Sequence, residues 1–268
     1  MNIIFAAICP HPSAVLPSIG SDLDIKRAVK TIEAMKALAG ELDTARPDVI
    51  VVISSHTPSN FTSFSIIESP KLKGHFHKFG DFKTEMKFDN HPPMVSAIKR
   101  VCAEERIPLR SFNEPEMDYG TLIPLYFLSQ GNPGIKVVPV GISGLSPIEH
   151  VNFGRSITKA AKDCKVKIAI VASGELSHRL SPSSLTGYSP KSRERDLMIA
   201  DLLKKGDDSA ILEIDPEVLG DSGQSNYLPM AVLFGALDGL SWKGEVLSYE
   251  SPFGIGYLVA NLKISKKQ

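Results

Sequence analysis

Apolar residues in this chain gather into short runs that stop abruptly at polar ones. Ile3–Cys9 is such a run and closes in Pro10-His11-Pro12, while Val49–Ile53 closes in Ser54-Ser55-His56-Thr57-Pro58. Val166–Ala172, apolar apart from Lys167, stops at Ser173-Gly174 and is followed by Glu175, Ser177, His178 and Arg179. Ile135–Ile142 is a fourth run, leading into Ser143-Gly144. Continuous apolar runs with β-branched residues read as strands buried on both faces, the pattern of a parallel sheet rather than of half-exposed alternation. Strands are therefore expected near residues 2–9, 48–54, 135–142 and 165–173. Ligands of open α/β sheets bind beyond the carboxyl ends of the strands. His11, His56 and His178 are thus expected at one edge of one sheet.

Between these runs the pattern changes period. Ser21-Asp22-Leu23-Asp24 has a capping serine and an acidic first turn, and Ile25, Val29, Ile32, Met35 and Leu38 follow at spacings of three and four. That predicts one helix to about Leu42 with a face for the sheet. The first two strands then form a βαβ unit, which a right-handed crossover makes parallel. From Phe61 to Phe88 shorter runs, Phe64–Ile67 and Phe82–Phe88, are separated by Ser69-Pro70 and Lys71–Gly80, a hairpin-like excursion with the character of a flap. It carries His75 and His77, which would share one side of a strand; with no third ligand nearby they read as solvent-facing. Further helices are expected over Met94–Glu105, preceded or capped by His91, around Pro124, over Pro147–Lys162, over Glu194–Lys205 and over Tyr227–Leu237. Ser111–Gly120 is an acidic loop, Ser181–Ser192 a loop long enough for a lid, Gly220–Asn226 a polar loop, and Gly244–Glu250 and Ile255–Leu262 late strands. The fold class is α/β: a single domain over residues 1–268, with a mainly parallel central sheet flanked by helices and a small β excursion.

Composition narrows the function. With 268 residues and 43% hydrophobic content the chain can bury a substantial core. Lys+Arg and Asp+Glu are 30 each, so no net field favours nucleic acid or an anionic membrane. Three cysteines without C-x-x-C spacing suggest neither a disulfide framework nor a zinc ribbon and fit a reducing cytoplasm. The run Ile3–Cys9 is too short for a signal sequence, and none approaches the roughly 20 apolar residues of a membrane span. A cytoplasmic protein is expected.

The polar endings carry the candidate chemistry. Two neutral imidazoles on the ends of rigid strands are good ligands for a borderline divalent metal, and two histidines with one carboxylate form the open-sided triad of ferrous oxygen chemistry. His11 and His56 supply the first two members. A third histidine beside the open positions, His178, suits an acid–base role. Glu175, three residues before it, reads as a carboxylate that could reach the metal or, equally, as a surface or supporting group.

Several motifs carry a family resemblance: P-H-P at 10–12, S-S-H-T-P at 54–58, D-Y-G-T-L-I-P-L-Y-F-L at 118–128, G-I-S-G-L-S-P-I-E-H at 141–150, S-G-E-L-S-H-R-L at 173–180 and S-Y-E-S-P-F-G-I-G-Y at 248–257. Together they resemble the class III, LigB-type, extradiol ring-cleavage dioxygenase superfamily, most closely its branch associated with the AmmeMemoRadiSam system. The resemblance implies a non-haem Fe(II) enzyme that opens a small catecholic ring beside its diol with dioxygen. It places the two histidine ligands on His11 and His56 and the acid–base histidine on His178. Two positions depart from the pattern. The family's Asp-His-Gly reads Asp118-Tyr119-Gly120, putting a phenol where a second active-site histidine is usual. The glutamate ligand before the late helix aligns with Gln224 or Asn226, with Asp221 nearby. An amide oxygen there would hold Fe(II) more weakly than a carboxylate, and Asp221 or Glu175 could compensate. The expected site is therefore His11, His56 and Gln224 at the metal, with His178, Tyr119 and Glu175 as catalytic groups. Two other readings use the same residues: a hydrolase built around Zn(II), and a catalytically silent, Memo-like relative kept for metal binding or as a scaffold, with or without a metal. A homo-oligomer acting on a small aromatic diol and dioxygen is the expected working form.

Overall fold

The four apolar runs that read as buried strands become the four central strands. The computed structural model describes residues 2–58, 61–184, 187–214 and 224–265, without the side chains of residues 224 and 225. In chain order, β1 (Ile3–Cys9) leads to α1 (Asp22–Arg27), α2 (Val29–Ala45) and β2 (Val49–Ser54). Then come β3 (Phe64–Ile67), β4 (Lys71–Phe76), β5 (Asp81–Asp89), α3 (Pro92–Glu104), β6 (Leu109–Phe112) and α4 (Tyr119–Leu128). β7 (Lys136–Gly141), α5 (Pro147–Cys164), β8 (Ile168–Ser173) and α6 (Pro190–Lys205) follow. The chain closes with α7 (Asp208–Leu212), α8 (Gln224–Leu237), β9 (Ser241–Glu250) and β10 (Tyr257–Ser265).

The main sheet has the order β6-β3-β7-β2-β8-β1-β10-β9, and β4 and β5 form a separate two-stranded sheet. Strands β7, β2, β8 and β1 run parallel, whereas β10 is antiparallel to β1 and β3 is antiparallel to β7. The parallel strands are buried on both sides, as their unbroken apolar sequences require. β1 sends Ile3, Ala6 and Ile8 to one face with Val51 and Ile53 of β2 and Ile170 of β8. Helices α3, α5 and α8 cover that face through Ile98, Phe153, Ile157 and Leu233. Phe5, Ala7, Val52 and Val171 point the other way, under Met35 and Leu38 of α2 and Leu122 and Leu125 of α4.

Register matters more for function than the layers do. Cys9 and Ser54 both pair with Ser173, and Ser54 also pairs with Gly141, so the carboxyl ends of these strands lie level. Any residue a fixed number of positions beyond them emerges at the same edge.

Several elements differ from expectation. The helix expected from Ser21 to Leu42 is two helices meeting at Ala28. Ser21 does cap the first, accepting from Asp24 N at 3.2 Å, while the Asp24 carboxylate accepts from Ser21 N at 3.1 Å. The second start has its own acceptor: Thr31 donates through N and Oγ1 to Glu250 Oε1 at 2.7 and 2.6 Å, satisfying donors that a helix start exposes. Lys71–Gly80 is not a separator but holds β4, and the hairpin is β4–β5, while Phe64–Ile67 joins the main sheet. Leu72, Gly74 and Phe76 are buried between exposed lysines, a period-two pattern that the lysines obscure. β6 lies inside what read partly as an acidic loop; four residues carry too little apolar signal to announce an edge strand. The second part of the expected lid is helix, because Pro190 occupies the first helical position of α6. Within the polar segment 220–226, Asp221 lies outside the described residues and Asn226 is already helical. His91 does cap α3, its Nδ1 accepting from Met94 N at 3.0 Å. Among the described residues no helix is long and apolar enough to cross a membrane.

The motif at 141–150 has a structural use. His150 is fully buried; its Nδ1–H donates to Ser146 O at 2.9 Å and its Nε2 accepts from Ser143 N at 3.3 Å, closing the turn after β7. Burial lowers its pKa, against the opposing effects of the Ser146 carbonyl and Glu149. The unfolded chain, with an ordinary imidazole near pH 6.5, then binds a proton that the folded chain refuses. Stability contributed by His150 is complete above about pH 6.5 and falls as the pH drops toward the lower folded value, with a slope of up to about 1.4 kcal/mol per pH unit. Urea unfolding of the parent and of His150→Gln between pH 7.5 and 5.5 should show a shallower decline in the variant.

Candidate active site

Three side chains leave the level strand ends at the same step. His11, His56 and Glu175 each lie two residues beyond the last residue of β1, β2 and β8, and β8 is the strand between the other two. His11 Nε2 is 3.1 Å from His56 Nε2 and 3.1 Å from Glu175 Oε2. Glu175 Oε2 lies 3.8 Å from His178 Nε2 on the other side. The loop carrying Glu175 and His178 is held by backbone pairing with the late glycine motif: Leu176 N donates to Gly256 O, Gly256 N to Ser177 O and Leu180 N to Gly254 O.

α4 approaches this edge with its first turn. Tyr119 opens the helix, and its hydroxyl is 2.8 Å from His56 Nε2. Asp118, the residue before it, caps the helix and joins it to the end of β2. Its Oδ1 accepts from Ser54 Oγ at 2.7 Å and Thr121 N at 2.9 Å, and its Oδ2 accepts from Thr57 Oγ1 and Thr121 Oγ1 at 2.8 Å each. Gly120 permits the close approach, because a Cβ there would lie 2.5 Å from Ser54 Oγ and 3.0 Å from His56 Cδ2. His11 and Ser173 are buried behind, with His11 Nδ1 2.9 Å from Ser173 Oγ.

The electrostatics follow from this crowding. Burial lowers the pKa of His56, assisted by the neighbouring His11, so its imidazole favours the neutral form. Burial opposes ionisation of Glu175, but His11 by charge and hydrogen bond, then His178 and His56, hold its carboxyl below the usual range. Burial, with Glu175 and Asp118 adding to it, pushes the Tyr119 phenol up to about 12, so it remains an O–H donor. The arrangement is thus a neutral imidazole, a second imidazole and an ionised carboxylate sharing one point of contact. Nitrogen and oxygen donors of this kind suit a borderline divalent metal, so the chemistry of the donor set fits one. Among the described residues no three His, Cys, Asp or Glu side chains are placed as a group that could hold a metal ion by themselves. The side chain of Gln224 and all of Asp221 lie outside the described residues. Asn226 is fully buried in α8, and among the described residues its amide atoms have no hydrogen-bond partner.

A cavity of about 540 Å³ opens beside His56 and Tyr119. That is within the range of small-molecule pockets and ample for one substituted aromatic ring. Phe79 and Met117 give it apolar wall, and Phe79 meets the Tyr119 ring edge-on at 5.3 Å. The β4–β5 side contributes His75 and Lys78, opposite Glu114 and Glu116. His75 and His77 are stacked 3.7 Å apart, and His75, which lines the cavity, contacts Glu116 Oε1 through Nε2 at 2.6 Å.

The family described as the catalytic LigB subunit of aromatic ring-opening dioxygenase matches residues 5–260. The chain belongs to the LigB family. Protein CA_C1420 of Clostridium acetobutylicum is 30% identical over 265 residues, covering 96% of this chain and 56% of that protein. The chain therefore spans about half the length of that curated relative. The crystal structure of uncharacterized protein JW3007 from Escherichia coli K12 aligns over 96% of this chain and 99% of that one, with a TM-score of 0.67 at 20% identity, and shares the fold.

Sequence reasoning passed over Asp118, Ser54, Thr57 and Ser173, the groups that hold the histidines and Tyr119 in place. Two signals pointed to them: a lone Asp just before an apolar helix, and a Ser ending each of two buried strands. Asp118→Ala removes four accepted hydrogen bonds and leaves their donors partly buried, so a loss of about 3 kcal/mol or more is expected. Asp118→Asn keeps one acceptor oxygen for Ser54 and Thr121 N and presents an NH2 from which the threonine hydroxyls can accept once they turn, so it should cost clearly less. Chemical denaturation of both variants measures the difference, and equal losses would contradict this account of Asp118.

Proposed function

We propose that this LigB-family chain is an Fe(II)-dependent dioxygenase of the extradiol type, of the AmmeMemoRadiSam-associated branch, acting on a small catecholic ring. The observation that carries the reading is the convergence of His11, His56 and Glu175 from three neighbouring, level strand ends, with contacts of 3.1 Å at His11 Nε2. The family match to ring-opening dioxygenases supports it, as does an adjoining cavity of aromatic size.

In this reading His11 and His56 hold the metal through their Nε2 atoms and Glu175 is the carboxylate beside them. Fe(II) held there would supply the redox chemistry that dioxygen requires. The remaining tasks belong to the chain. The ring lies in the cavity against Phe79 and Met117. His178 Nε2 takes a proton from a diol hydroxyl and returns it later, while the ionised Glu175 stabilises the imidazolium that forms. Tyr119 donates a hydrogen bond from a neutral phenol, which a histidine at that position would exchange for a movable proton.

Anaerobic Fe(II) titration followed by calorimetry tests the ligands: His11→Ala and His56→Ala should each abolish tight binding while circular dichroism stays native. Equal metal content in either variant and the parent would remove that residue from the ligand set. His178→Gln should keep Fe(II) and catechol binding but lose roughly 10²–10⁴-fold in turnover, with one limb of the pH–rate profile gone. Unchanged turnover would exclude His178 from the chemistry. The phenol at Tyr119 favours a second reading, a silent Memo-like metal-binding or scaffold protein, which absence of turnover on every diol tried under saturating Fe(II) would select.

A further inference from the structure

A chain of hydrogen bonds runs from the interior of α4 to His11, and its direction can be worked out atom by atom. Pro124 lies inside α4 and has no N–H, so the carbonyl of Gly120, four residues earlier, lacks the donor a regular helix would give it. Ser173 Oγ takes that place, donating to Gly120 O at 2.5 Å. A serine hydroxyl has one hydrogen, and a carbonyl can only accept. With its hydrogen directed to Gly120, Ser173 Oγ faces His11 Nδ1 at 2.9 Å as an acceptor. His11 must therefore carry a proton on Nδ1. Ser173 and Gly120 are buried and His11 is 1% exposed, so water does not replace any member.

The other ring nitrogen is under the opposite influence. Glu175 Oε2, 3.1 Å from His11 Nε2, attracts a proton to that atom. Neutral histidine has one ring proton, and the two neighbours compete for it.

We propose that Ser173 is a positioning residue that fixes neutral His11 as its Nδ1–H tautomer, keeping a bare electron pair on Nε2 at the shared strand edge. Pro124 belongs to the device, since it frees the Gly120 carbonyl that orients the serine. The use of that electron pair for a metal rests on the function proposed above, whereas the tautomer itself does not. A residue that orients a ligand from behind typically changes metal affinity by about 10–100-fold when removed.

Nitrogen-15 NMR of histidine-labelled, metal-free protein, at a pH where His11 is neutral, reads the tautomer directly. In the parent, His11 should show a protonated Nδ1 and a bare Nε2. In Ser173→Ala the proton should move to Nε2, toward Glu175, and Ser173→Thr, which keeps a hydroxyl, should retain the parent pattern. Fe(II) affinity of Ser173→Ala, titrated anaerobically in the same preparations, should fall about 10–100-fold. A parent with its proton on Nε2, or a Ser173→Ala protein with the parent's tautomer, overturns the inference, and the parent measurement stands even if a variant folds poorly. A moved proton with unchanged Fe(II) affinity would support the role of Ser173 and overturn instead the ligand role of His11.

Discussion

The level carboxyl ends of β1, β8 and β2 are the constraint on which the site depends. Parallel pairing fixes the register residue by residue, with Cys9 and Ser54 both opposite Ser173. A histidine or glutamate two steps past each end then needs no further folding information to meet the others. A slip of one residue in either ladder would turn every side chain of that strand to the opposite face and carry its polar ending out of step with its neighbours. The pairing that sets the strand register therefore also sets the contacts of His11, His56 and Glu175.

Around that edge the protein surrounds ionisable groups with fixed hydrogen-bond partners. Asp118 is engaged by Ser54, Thr57 and Thr121, so its charge is satisfied before any ligand arrives. A second buried carboxyl, Asp196 of α6, braces the loop of Glu175 and His178 from below: it accepts from Ser177 N at 3.2 Å and from Tyr249 hydroxyl at 2.9 Å. Burial raises its pKa, the opposite of Glu175, whose neighbours are imidazoles rather than hydroxyl and amide groups. Two carboxyls a short way apart in sequence are thus driven in opposite directions by their surroundings alone.

How far the fold was legible follows the strength of each local signal. The four central strands were readable because both faces are buried, which leaves unbroken apolar runs such as Val49–Ile53. β4 and β6 were not, since alternating lysines or a run of only four residues resemble loop sequence. The break at Ala28 was invisible because its partner, Glu250, lies more than two hundred residues away in the chain. The same reason hid the groups behind the site: Ser54–Asp118 and His11–Ser173 are contacts between strand ends and a helix cap that no local pattern encodes. The polar endings themselves were legible, because histidines immediately after buried runs have few places to go.

The two-stranded β4–β5 sheet forms one side of the cavity yet shares no strand pairing with the main sheet. Its backbone hydrogen bonds are mostly its own, with a small bridge from Lys73 to the loop at Glu116. Replacing the cavity-side residues of this hairpin, rather than its buried Leu72, Phe76 and Phe88, therefore leaves untouched the ladders that align His11, Glu175 and His56. The wall of the cavity can thus vary while the strand ends stay level, as an interchangeable mould is fitted to an unchanged press.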